Sequence, residues 1–347
     1  MGPVQSTPVD FGLDDEQREL VASFSNLLAK SSSPEQVRAA EPTGFDLGLW
    51  RTLLETGAVT MAVPEAQGGW GASLLDLALV AELIGRAAAP APLLEAQVAA
   101  RLLAAVGTAP ALAALEPVLE GDQLVSLALR PVRGGVAELA PAGAVCDALV
   151  VLDRDALRVV PVSEADRSQV ANLASAPLAD VRLGQGIVLL DGAAARSRFE
   201  AAVDEWLTLT AAALVGSGRI ALEIACAYAT ERIAFGSPIG AFQAIAHPLA
   251  DDATNLDGAE VLTHEAAWEL DRGGARGREL AAMAFAFAST TAGKTTYDAL
   301  HTHGGYGFML EYEVQLHWRR ARGWPRVWGD AQAAYQRAAD ARYGGDA

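Results

Sequence analysis

Near Gly121 the spacing of apolar residues changes, and near Phe199 it changes back. Before the first switch they recur every three or four positions, the period of a half-buried helix. In "LDDEQRELVASFSNLLAK", Leu13, Leu20, Phe24, Leu27 and Leu28 fall mostly on one stripe with charges opposite. "SLLDLALVAELIGR" repeats the pattern through Leu74, Leu77, Val80, Ala81 and Ile84. Ser73 is placed to cap that helix, and Gly85 lies near its end. Between the two helices, Pro64, Gly68, Gly69 and Gly71 mark a loop.

After the first switch come "LVSLALRP", "ALVVLD", "ALRVVPV" and "GIVLLDG", short Val- and Leu-rich runs bounded by Gly, Pro and Asp. They predict strands of a small β domain over 122–197. Helical spacing then returns, predicting helices over about Asp204–Arg232, Phe242–Asp271, Arg278–His303, Glu311–Arg322 and Asp330–Tyr343. Pro248 falls in the first turn or two of the second, where its missing N–H matters least. The expected fold is mainly α with a central β domain: helical 1–121, β 122–197, helical 198–347.

Composition narrows the partners. A formal charge of −17 argues against nucleic acid or an anionic membrane surface. No uninterrupted apolar run reaches the roughly 20 residues of a membrane span. Cys146 and Cys226 stand far apart, outside any metal-ligand spacing, and read as two buried reduced thiols. The start, "MGPVQSTPVDFG", lacks a basic segment and an apolar core, so it reads as a disordered tail rather than an export signal. A reducing cytoplasm fits these features. His247, His264, His303 and His317 show no metal-like spacing with carboxylates on a shared face, so no metal is expected.

Three stretches carry more. "YATERIAFGSPIGAFQAIAHPLAD", "HTHGGYGFMLEYEVQLHWRRAR" and "GAVTMAVPEAQGGWG" closely resemble the FAD-dependent acyl-CoA dehydrogenases. The resemblance covers nearly the whole chain. It implies an N-terminal helical domain, a small β-barrel-like domain and a C-terminal four-helix bundle. It also implies dimers, or dimers of dimers, in which FAD lies across a subunit boundary. One chain's β domain then holds the flavin ring, and the neighbour's C-terminal helices reach the ADP end.

On the matching positions, the resemblance implies that Arg232 neutralises the pyrophosphate with a forked cation. The alternative is a surface Arg complementing a helix dipole. Phe235 packs on the cofactor or, equally, in a core. Gln243 serves the adenine or pyrophosphate end. Gly304 and Gly305 allow close backbone approach, or simply end a helix. His301 stands where the family usually has glutamine.

The family's chemistry needs a carboxylate to remove the α-proton of a CoA thioester, with hydrogen bonds that acidify that proton. Many members keep the carboxylate in a Tyr-Glu-Gly-Thr stretch. Counting from Gly304-Gly305, that position is Trp328. Relatives with the base on the long helix place it at Trp206. Indole offers only a donor N–H and cannot act as base. Glu205 lies about 100° off the required helix face, and Asp330 is better placed as an N-cap. The flavin cradle is altered too, with Leu129 and Arg130 in place of the usual Thr and Glu and no Trp-Ile-Ser/Thr stretch in 122–197.

The chain therefore resembles the non-catalytic subunit of the α2β2 acyl-CoA dehydrogenases that actinobacteria use on steroid side-chain CoA thioesters. That resemblance implies no catalytic residue in this chain, FAD shared with a homologous catalytic subunit, and a CoA thioester as substrate. Two other readings stay open. One is a self-sufficient dehydrogenase with Glu205 or Asp330 as base; the other is a scaffold without redox work.

Overall fold

A computed structural model describes residues 12–344; the expected N-terminal tail lies outside them. Six helices come first: α1 (Asp15–Ser31), α2 (Pro34–Ala40), α3 (Leu47–Glu55), α4 (Leu74–Arg86), α5 (Leu93–Val106) and α6 (Ala109–Leu119). Side chains close several of their starts. Ser73 caps α4 by accepting from the Asp76 N–H, and the Asp76 carboxylate accepts from the Ser73 N–H in return. Inward stripes of these helices, Leu53, Leu74, Leu77, Leu93 and Leu103 among them, form one continuous core with the β region.

Seven strands follow: β1 (Val125–Leu127), β2 (Val136–Ala140), β3 (Ala148–Asp153), β4 (Ala156–Pro161), β5 (Arg167–Gln169), β6 (Ala179–Arg182) and β7 (Ile187–Asp191). One sheet has the order β1-β3-β4-β7 and the other β2-β6-β5. The four apolar runs of the sequence became the first sheet. Strands β2, β5 and β6 escaped sequence reading because "VAELA", "RSQ" and "ADVR" carry too few β-branched residues to stand out.

Helix α7 (Gly192–Glu231) begins twelve residues before the expected Asp204, directly after β7, and runs unbroken across position 197. Its first turns bury Ala195, Phe199 and Ala202, so packing extends the helix beyond its apolar run. By length and composition α7 could cross a bilayer, but its apolar stretch is mostly buried inside the protein. A hairpin of β8 (Ile233–Ala234) and β9 (Ser237–Pro238) follows. Then come α8 (Gln243–Asp271), α9 (Gly277–His303), α10 (Val314–Gly323) and α11 (Ala331–Tyr343). Pro248 is the sixth residue of α8, past the turn whose N–H groups are free anyway, so it removes one ladder bond.

Helix α7 packs on α9, α4 and α8. Its crossing with α4 is tight: a Cβ at Gly85 would collide with the Ala213 carbonyl, and one at Gly216 with the Glu82 carbonyl. Cys146 is buried, whereas Cys226 is exposed, contrary to expectation. On α7, Leu222, Ala225 and Ala229 face inward, which turns position 226 outward.

Candidate functional site

The two positions at which the resemblance implies a base contact the same phenyl ring. Trp206 on α7 is 2% exposed. Its ring lies 6.1 Å from that of Phe285 on α9, and the Trp328 ring meets the same phenyl edge-on at 5.5 Å. Such tilted and edge contacts suit aromatic quadrupoles. The Trp206 Nε1–H donates to Glu95 Oε1 at 3.4 Å. Glu95 is the group sequence reading missed, because nothing in "APLLEAQ" shows that its carboxyl faces an interior cavity. Burial pushes that carboxyl up, against its own backbone hydrogen bond and the Trp206 donor.

Neither replacement acid faces this place. Glu205 binds the Arg101 guanidinium through two bonds of 3.0 and 3.2 Å, and Arg101 also reaches Asp271 at 3.5 Å. Burial raises the Glu205 carboxyl, and Arg101 opposes that shift. Asp330 caps α11, accepting from the Ala333 N–H at 3.0 Å, and lies 3.4 Å from Arg326.

The β region closes over the same place. Leu129 is buried. Arg130 sends its fork to the carbonyls of Val327 at 2.7 Å and Arg326 at 2.8 Å, tying down the turn that leads to Trp328. A cavity of about 80 Å3 remains, lined by Glu95, Trp206, Trp324, Val327 and Arg320 with residues 174–178. Arg320 is only 3% exposed. Burial and the neighbouring Arg319 charge push its guanidinium down to about 9. Its carboxylate neighbour, Glu41, lies 3.7 Å away.

The other predicted residues gather at one end of the bundle. Helices α7 and α9 both finish there and α8 starts there, an arrangement held by the Tyr228–His303 ring stack at 4.3 Å. Arg232 caps α7, is exposed, and makes no side-chain hydrogen bond or ion pair among the described residues. Phe235 and Gly236 form the two-residue turn of the β8–β9 hairpin with φ of +53° and +81°. Two left-handed residues define a turn that favours Asn or Gly over Phe. Phe235 is 98% exposed, which excludes the core alternative, and it meets Phe242 edge-on at 6.2 Å.

Gln243 opens α8 and is exposed. His301 stacks on Tyr297 at 6.4 Å with its other side open to solvent. Gly304 has φ +62° and ψ −140°, a conformation reserved for glycine, and a Cβ on Gly304 or Gly305 would meet nothing within 4 Å. Six predicted residues thus share one solvent-facing end, while the buried Trp206 and the half-buried Trp328 pack on Phe285 elsewhere.

Residues 14–119 match the family model of the acyl-CoA dehydrogenase N-terminal domain, and residues 206–340 match that of the C-terminal domain. The acyl-CoA dehydrogenase IpdE2 of Mycolicibacterium smegmatis is 32% identical over 93% of this chain and 97% of its own length.

The chain belongs to the acyl-CoA dehydrogenase family.

IpdE2 of Mycobacterium tuberculosis is 30% identical over 89% of this chain and 92% of its own. Among solved structures, the steroid acyl-CoA dehydrogenase Tcur3481-Tcur3483 (G363A variant) aligns with a TM-score of 0.86 at 25% identity, covering 95% of this chain and 98% of that one. The ChsE4-ChsE5 complex of Mycobacterium tuberculosis aligns at 0.89 with 22% identity, covering 98% and 100%, a likeness of fold.

For an acyl-CoA dehydrogenase, the residues at the bundle end suit the ADP end of FAD. The bundle end offers an uncommitted guanidinium, an open aromatic face and bare glycine backbone. The interior beside Trp206 is narrow and mostly apolar, with the Trp206 indole on its wall. The cavity there is about 80 Å3, smaller than an engineered cavity of roughly 150 Å3 that takes up one benzene ring.

Proposed function

We propose that this chain is the non-catalytic member of a two-chain acyl-CoA dehydrogenase and completes the FAD site of a homologous catalytic partner. One observation carries the reading. Phe235 is held bare in a left-handed turn, while the interior that would receive a flavin ring is filled by Trp206 and Trp328. Backbone strain of this kind concentrates at ligand clamps and functional sites, which points to a contact outside the chain.

In this assignment, Arg232 would pair with the pyrophosphate of the partner's FAD, while Phe235, Gln243, His301, Gly304 and Gly305 surround its ADP end. FAD supplies the hydride acceptor for α,β-dehydrogenation, and the partner supplies the carboxylate base. The likeness to the IpdE2 acyl-CoA dehydrogenases supports a dehydrogenase, and the two-chain ChsE4-ChsE5 and Tcur3481-Tcur3483 structures support a heteromeric one. The steroid description of the Tcur pair supports a steroid-derived CoA thioester as substrate class.

Co-expression with a homologous chain carrying an intact Tyr-Glu-Gly-Thr stretch tests the proposal. The expected product is a yellow complex with one FAD per heterodimer and acyl-CoA oxidation. Stoichiometric FAD and turnover in the lone chain would overturn it. A colourless, inactive complex would favour a scaffold instead.

A further inference from the structure

Glu82 on α4 and Glu260 and His264 on α8 bring three donor atoms within 4.8 Å of one another. We propose that these three side chains form a binding site for one divalent transition cation of zinc type, bracing α4 against α8. Donors no further apart than that can all lie about 2.8 Å from a common centre. Small side-chain shifts then bring them to the roughly 2.0–2.2 Å of zinc–nitrogen and zinc–oxygen bonds. Imidazole and carboxylate suit zinc, with solvent as the fourth ligand.

The backbone sets this geometry. Glu260 and His264 stand four residues apart on one helix and share a face. Glu82 is delivered opposite them by the α4–α7 crossing, which runs at its own carbonyl against Gly216. His264 is 6% exposed, and burial lowers its pKa, which keeps the imidazole in the neutral form a metal requires. Among the described residues the Glu82 carboxylate takes part in no hydrogen bond and no ion pair within 4 Å, although the Arg219 and Arg86 charges act on it.

Charge balance points the same way. Arg219 on α7 is held by Asp257 at 2.6 Å and Glu260 at 2.5 Å. Arg86 on α4 is held by Glu223 at 2.8 and 2.5 Å. Four carboxylates against two guanidiniums leave two negative charges, the charge one divalent cation supplies. Burial and the Glu260 charge push the Glu82 carboxyl up to about 7, so the alternative occupant is a proton shared within the group. The histidine spacing alone hid this site, because Glu82 lies far from Glu260 and His264 along the chain.

The test uses the full-length, tag-free chain dialysed free of metal. Calorimetric titration with Zn2+ is expected to show one equivalent bound with a micromolar or tighter Kd, and Co2+ to develop visible bands of a four- or five-coordinate site. Glu82→Gln and His264→Gln should each weaken zinc binding more than about 10-fold, whereas the exposed Asp251→Asn should leave it unchanged. Circular dichroism checks that the variants fold, and the cobalt spectrum of the unaltered chain reads the site without them. Zinc binding weaker than millimolar, or amide variants that bind as tightly as the parent, would overturn the assignment.

Discussion

Trp206 and Trp328 pack on one phenyl ring, that of Phe285, at 6.1 and 5.5 Å. Both are positions where the family resemblance implies a proton-abstracting carboxylate. An anion at the buried Trp206 would lack a partner cation, whereas the indole packs on Phe285 and donates to Glu95.

Removing an indole from that core should therefore be expensive. Trp206→Ala is expected to lower unfolding free energy by about 3–5 kcal/mol, as for other buried large-to-alanine changes, read by urea denaturation. Trp328→Glu should give no acyl-CoA oxidation in the lone chain, because a carboxylate there does not rebuild a flavin cradle in which Leu129 is buried and Arg130 is bound to the Val327 and Arg326 carbonyls. Flavin absorbance and dye reduction check this.

Phe235 separates assembly from folding. At φ +53° a Phe side chain costs roughly 1–2 kcal/mol over a right-handed conformation, and here it gains almost no burial. Phe235→Gly should leave the lone chain's Tm equal or slightly higher. In the complex with the catalytic partner it should lower FAD content, as should Arg232→Ala. Unchanged flavin absorbance per heterodimer in both variants would remove the cofactor role.

Arg130 works as a clamp on the turn before Trp328. Arg130→Met keeps the apolar stem and removes the bonds to the Val327 and Arg326 carbonyls. Hydrogen exchange over residues 324–329 should accelerate at least about 10-fold. The stability lost should not exceed about 1.5–3 kcal/mol, since hydrogen bonds from a partly exposed charged group bound the effect.

Glu95 gives a pH signature. Burial raises its folded-state pKa, so the native state holds the proton more tightly than the unfolded chain. Its contribution is fully present below the unfolded value of about 4.3 and is lost as pH rises through the folded one. Glu95→Gln should therefore raise Tm relative to the parent at pH 7.5 and gain little at pH 4. Parallel Tm curves across that range would show that the carboxyl is not held in the cavity as described.

Glu205→Gln should behave as loss of a partly buried ion pair with Arg101, lowering stability without touching turnover of the complex. Asp330→Asn should be milder still, since Asn also caps a helix. Loss of turnover in either variant, with the complex intact, would reopen a relocated base.

What the sequence determined by itself was local and periodic. Helical spacing, the four apolar strands, the Ser73 cap and the double glycine after His303 are each written in a few neighbouring residues, because one turn or one pleat decides them. Motif spacing likewise named Arg232, Phe235, Gln243 and the two tryptophans. Tertiary structure decided the rest. Packing against the bundle carried α7 back to Gly192, and pairing with flanking strands made β2, β5 and β6 from weak sequences. Only the folded chain put Trp206 beside Trp328, aimed Glu95 into a cavity and brought Glu82 to His264. Those relations are distances between residues far apart in the chain, and close packing, unlike periodicity, leaves no local trace.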